Sequence, residues 1–124
     1  MRKRTSLRFA TGIATALALT LTFSAFAADA PKKEESGKDI AFNRSKGNCL
    51  ACHAMPSLPD AEAPGNIAPP LIDMKARYPD KAKLRAQIWD AMQTNPQTSM
   101  PPFGKHKILT EQEIDKVTDF IYSL

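Results

Sequence analysis

Gly47-Asn48-Cys49-Leu50-Ala51-Cys52-His53 is the stretch on which the fold turns, because it gathers both cysteines of the chain and one of its two histidines. In Cys-x-x-Cys-His the two thiols can form thioethers to the vinyl groups of a haem, while the adjacent imidazole reaches the iron as proximal ligand. Three other uses of these residues compete. A disulfide between Cys49 and Cys52 closes a very short loop and stabilises little. A dithiol redox pair belongs in a βαβ setting, and no run here alternates apolar and polar residues long enough for a sheet. A zinc site needs four ligands, and His53 directly after Cys52 is awkwardly placed to bind the same metal. The motif therefore points to one covalent haem c held through Cys49 and Cys52, with His53 on the iron.

Helical patterns lie to either side. The first spans roughly Lys38 to Lys46, carries Ile40, Ala41 and Phe42, and stops at Gly47-Asn48, a pair suited to a left-handed turn. The second runs from about Lys81 to Gln93, with Leu84, Ile88, Ala91 and Met92 on one stripe and Trp89 beside it; Asn95-Pro96 ends it. The third opens with Thr110 as N-cap and Glu113 completing a capping box, while Glu111 suits the positive end of the helix dipole. Ile114, Val117, Ile121 and Leu124 then share a face, flanked by Phe120 and Tyr122. These stripes read as core. The expected fold is all-α: three main helices and proline-rich loops around one haem, since ten prolines exclude a plain bundle.

A proximal imidazole is oriented by whatever accepts its other N–H. The backbone carbonyl of Pro69, in Gly65-Asn66-Ile67-Ala68-Pro69-Pro70-Leu71, is the candidate, with Leu71 lying on the haem; the alternative is that these prolines only stiffen a loop. The sixth ligand must come from far along the chain. Met100, in Ser99-Met100-Pro101-Pro102-Phe103-Gly104, lies between the second and third helices, and a thioether there raises the potential of an electron acceptor. His106 is the rival, set between Lys105 and Lys107 where a surface role is expected. Met55 is too near the attachment point to swing across, and Met74 and Met92 read as packing filler.

Charge excludes one class of partner. Of 17 Lys and Arg against 13 Asp and Glu, Arg2, Lys3, Arg4 and Arg8 open the chain, and the remainder balances. No clustered excess is left to wrap phosphates. The basic start leads into an apolar run from Phe9 to Phe26 that closes on Ala25-Phe26-Ala27, the pattern of an export signal over 1–27; an uncleaved membrane anchor is the competing reading. Residues 28–37 read as a flexible, charged leader and 38–124 as the haem domain. The expected location is the periplasm, with no membrane contact after cleavage. Lys75, Arg77, Lys81, Lys83 and Arg85 either rim the haem edge as a docking patch or form a solvated face broken by Asp73 and Asp80.

The whole mature chain resembles a class I cytochrome c. More narrowly, the motif, the 65–71 segment, Leu84-Arg85-Ala86-Gln87-Ile88-Trp89-Asp90, the run Asn95 to His106 and Ile108-Leu109-Thr110 resemble the SoxX family, the small monohaem subunits of periplasmic SoxAX cytochrome complexes. Ala68 stands where that pattern leads one to expect glycine. The resemblance implies the electron-transfer subunit of a heteromeric L-cysteine S-thiosulfotransferase. Such a complex couples thiosulfate oxidatively to a cysteine of the SoxYZ carrier protein. It also implies a SoxA-type partner that holds the sulfur chemistry, and a downstream cytochrome as acceptor. No catalytic acid, base or nucleophile is expected in this chain. Leu58, Ile67 and Phe103, in the proline-rich segments, are expected to meet the partner; the alternative is that they pack only on their own haem. A stand-alone periplasmic electron shuttle is the alternative function, and a haem sensor with an open sixth position a weaker one.

Overall fold

The computed structural model describes residues 34–124. The export signal expected at 1–27 and most of the leader expected at 28–37 lie outside the described residues. Among the described residues four α-helices form, α1 (Gly37–Phe42), α2 (Met74–Arg77), α3 (Lys81–Trp89) and α4 (Glu111–Tyr122), with single 3-10 turns at Cys49–Ala51 and Ala91–Gln93. Among the described residues there is no strand, so the all-α expectation holds.

Helix α1 starts one residue early because Ser36 caps it. The Ser36 hydroxyl accepts from Asp39 N at 3.1 Å, and the Asp39 carboxylate accepts from Ser36 N at 3.0 Å. It ends at Phe42 and not at the expected Lys46. The reason is Asn43, whose side chain accepts from Ser45 N at 2.9 Å while its carbonyl accepts from Lys46 N and Asn48 N, both at 3.0 Å. That local turn competes with helical hydrogen bonding. The left-handed residue is Asn48, at φ 47°, and Gly47 keeps a negative φ.

Helix α3 also stops early. Asp80 caps its start, accepting from Ala82 N at 2.9 Å. At the other end Asp90 takes φ −154° and caps the separate turn Ala91–Gln93 through Met92 N at 3.2 Å. This break turns Met92 outward to 40% exposure, so it is not the packing filler expected, whereas Met74 on α2 is buried. Helix α4 carries the capping box read from its sequence, with Glu113 N donating to Thr110 Oγ1 at 3.2 Å and Thr110 N donating to the Glu113 carboxylate at 2.9 Å.

Helices α1 and α3 both pack on α4. Ile114, Val117 and Ile121 supply its buried face, meeting Ile40 from α1 and Leu84 and Ile88 from α3. Thr118 is buried there too, its hydroxyl without a partner among the described residues. Phe42 and Phe120 meet edge to face, centroids 6.3 Å apart. Lys46 bridges Glu35 and Glu113, and Lys116 pairs with Glu34. Residues 34–37 are thus tied to α1 and α4 by caps and ion pairs, and the expected boundary at Lys38 falls inside a packed segment.

Candidate haem site

The 3-10 turn Cys49–Ala51 follows the left-handed Asn48 and winds the two cysteines and the histidine round one another: His53 N donates to Cys49 O at 2.9 Å, and Cys52 N to the same oxygen at 3.2 Å. Both thiols are free and half-buried. Burial pushes the Cys49 thiol up to about 11, so at neutral pH it is no thiolate nucleophile. Among the described residues no group of three or more His, Cys, Asp or Glu is arranged to hold a metal ion by itself. The zinc alternative has no ligand set there.

The proline-rich segment is laid against this turn by three backbone hydrogen bonds. Gly65 N donates to Leu50 O at 2.8 Å, Ala68 N to Cys52 O at 3.1 Å and Leu71 N to Ala54 O at 2.8 Å. A side chain at position 65 would force the backbone to shift, since a Cβ there would stand 1.9 Å from Ala51 O. Pro69 lies between the last two of these bonds, with no N–H to compete for an acceptor. Its carbonyl oxygen is 2.6 Å from His53 Nδ1. A carbonyl can only accept, so Nδ1 carries the proton and Nε2 keeps its lone pair for a metal. Ala68 adopts no left-handed conformation, and its methyl in place of the expected glycine adds no backbone strain. Leu71 is buried in the core cluster, as is Met55.

Met100 is half-buried and packs against the same core cluster as Cys49, Leu50 and Leu58. Its N–H donates to Thr98 Oγ1 at 3.1 Å. His106 is exposed, and its backbone N–H donates to Pro102 O at 3.0 Å.

One surface expectation changes. Phe103, expected to meet the partner, is only 7% exposed and belongs to this chain's core cluster. Ile67 is 73% exposed and Leu58 half-buried. Of the two readings of the cations, the solvated face fits: Lys75, Arg77, Lys81 and Lys83 are exposed, and several are also partnered within the chain. Lys81 pairs with Asp119, Arg85 with Glu111 and Asp115, Arg77 donates to Pro70 O, and Lys75 lies over the Tyr122 ring. They hold α2 and α3 to α4 and the proline segment.

An all-α domain with a Cys-x-x-Cys-His turn at its centre, and a carbonyl holding the histidine, defines a c-type cytochrome. The family model for cytochrome c oxidase, cbb3-type, subunit III matches residues 34–121. A chain in the crystal structure of SoxXA from P. pantotrophus is similar to this one, with 34% identity, 70% of this chain and 77% of that chain covered, and a TM-score of 0.64. No curated protein sequence matches. The chain belongs to this cytochrome c family, with the class I cytochrome c fold, and is a SoxX-like member of it. A cytochrome c domain implies haem c, and the donor set fits: two free thiols at the right spacing, an imidazole with Nε2 available, and thioether sulfurs in the adjoining core.

Proposed function

We propose that this chain is the electron-accepting subunit of a SoxXA-type complex. One haem c is attached through Cys49 and Cys52, with His53 as proximal ligand and Met100 as distal ligand. The carbonyl of Pro69 orients His53, and Leu71 packs on the haem. The haem, when bound, supplies a one-electron couple. His53 delivers its Nε2 lone pair because Nδ1 is committed to Pro69 O at 2.6 Å, and that bond is the observation supporting the haem assignment. Met100 offers a neutral thioether, which favours the reduced iron and so a high potential.

Sulfur chemistry resides on a SoxA-type partner. There thiosulfate sulfur joins a cysteine sulfur of SoxYZ, the thiol proton is released, and two electrons leave, to be carried one at a time through this chain to a downstream cytochrome. This assignment rests on the likeness to a chain of SoxXA. The signal pattern at 1–27 supports export to the periplasm, and among the described residues no helix is long and apolar enough to cross a membrane. The stand-alone shuttle gains no support from a docking rim whose cations Lys81 and Arg85 are ion-paired.

The test is an omission series with purified holoprotein, a SoxA-type subunit, SoxYZ and thiosulfate. Haem reduction in this chain is expected only when all are present. Conjugation by this chain and SoxYZ alone would overturn the assignment of the chemistry to the partner. No association with a SoxA-type subunit would favour the shuttle.

A further inference from the structure

The loop that carries Met100 is fastened at its base to the end of α3 by two neighbouring residues. The carbonyl of Trp89 accepts from the backbone N–H groups of Gly104 at 3.1 Å and Lys105 at 3.3 Å. Gly104 lies so close to the indole that a Cβ there would stand 2.0 Å from Trp89 Cε3. The Asp90 carboxylate, buried at the next position, receives Lys105 Nζ at 2.9 Å from the far end of the loop. From the near end it receives Gln93 Nε2 at 2.8 Å and Met92 N at 3.2 Å.

Between these fastenings Thr94 Oγ1 donates to Gln87 Oε1 of α3 at 2.6 Å and Met100 and Phe103 pack on the core cluster, while the remaining polar groups bond within the loop. Thr98 N donates to Asn95 O, Gln97 N to Asn95 Oδ1 and Met100 N to Thr98 Oγ1, at 3.0, 3.0 and 3.1 Å. Such turns shape the loop without fixing it to the domain. A buried carboxylate is a costly means of stabilisation, because desolvation offsets much of the Coulomb attraction. Its use at the one point where both ends of the loop converge fits a role in geometry. A thioether is a neutral ligand that leaves easily, so its retention depends on how well the fold presents it.

We propose that Asp90 and Lys105, with the Trp89–Gly104 contact, are positioning residues for Met100. They clamp the segment from Ala91 to Gly104 so that the sulfur is presented to the iron by the fold. The proposal rests on the reading of Met100 as distal ligand.

The experiment uses the holoprotein and the variants Asp90→Asn, Lys105→Met, Lys105→Arg and Gly104→Ala. Two readouts are taken: the near-infrared sulfur-to-iron band of the ferric form during a urea titration, and hydrogen exchange of the peptide covering 94–104. Asp90→Asn and Lys105→Met should accelerate exchange in that peptide by at least about tenfold, as expected when a hydrogen bond to a charged group is lost, with α4 unchanged. The band should disappear at lower urea than in the parent, and Lys105→Arg should restore both. Lys105 is half-exposed, so its variants fold even where Gly104→Ala does not. Unchanged exchange and an unchanged band overturn the proposal, as does equal acceleration in α4, which would mark the pair as a general stabiliser. A parent lacking the band, with the loop-specific exchange effect intact, overturns Met100 as ligand and leaves the clamp as a device of the loop alone.

Discussion

His53 and Pro69, sixteen positions apart, are joined by a 2.6 Å hydrogen bond from the imidazole Nδ1 to the proline carbonyl. That bond couples a motif defined by covalent chemistry to a loop defined by backbone stiffness. Its consequence is a histidine with one nitrogen committed and one available, the state a metal ligand requires.

The mature protein should carry one haem that survives acid–acetone extraction, and its intact mass should exceed that of the polypeptide by one haem. Replacing Cys49 or Cys52 singly should leave the haem tethered by the remaining thioether. His53→Ala should be more damaging than either, because it leaves the iron under-coordinated. Absorption spectra and intact mass of the three variants check this.

Met100→Ala should remove the near-infrared sulfur-to-iron band and lower the potential, and His106→Ala should change neither. The reason is placement: Met100 packs on the core, whereas His106 faces solvent. Redox titration of both variants decides between them, and the opposite pattern assigns the ligand to His106.

Gly65→Ala should destabilise the domain by about 2 kcal/mol, the range for forcing an extra carbon into a packed site. The added Cβ would meet the backbone carbonyl of Ala51, which cannot rotate away as a side chain can. Denaturant unfolding measures the loss. Because Ala51 lies inside the motif, the potential should shift in the same variant, while a variant at the exposed Asn66 should leave it in place.

The Lys46 bridge predicts a dependence on acid. The hydrogen bond from Lys46 holds the Glu113 carboxyl below the ordinary carboxylate range, helped by Thr110, and the same lysine lowers Glu35. A depressed folded-state pKa contributes stability that is fully present above the ordinary range and is lost as pH falls through the depressed value. Melting temperature should therefore be level near neutrality and fall in that acidic window. Glu113→Gln should lower the neutral plateau and reduce the acid dependence, as read from melting temperature against pH.

Much of this protein is written locally. Cys49, Cys52 and His53 announce their chemistry by spacing, because thioether attachment and ligation need those side chains within one turn. Thr110 and Glu113 announce the start of α4, because a capping box is made by residues three apart and needs no distant partner. Other features depend on groups that meet only in three dimensions. Asp90 ended α3 where Lys105, fifteen residues on, and Gln93 converge on its carboxylate. Phe103, expected at a partner surface, packs with the core cluster instead. Of the cations weighed as a docking rim or a solvated face, Lys81 and Arg85 pair with acids on α4. The sequence alone determined the haem motif, the all-α character and the strongest cap, since each follows from short-range covalent and hydrogen-bonding rules. Tertiary structure decided for the Pro69 carbonyl, already the candidate in the sequence, over a loop that its prolines only stiffen, and it alone showed that Gly65 lies against Ala51 and that the Met100 loop is fastened through Trp89 and Asp90. Such contacts depend on how segments far apart in the chain pack together, which no local pattern encodes.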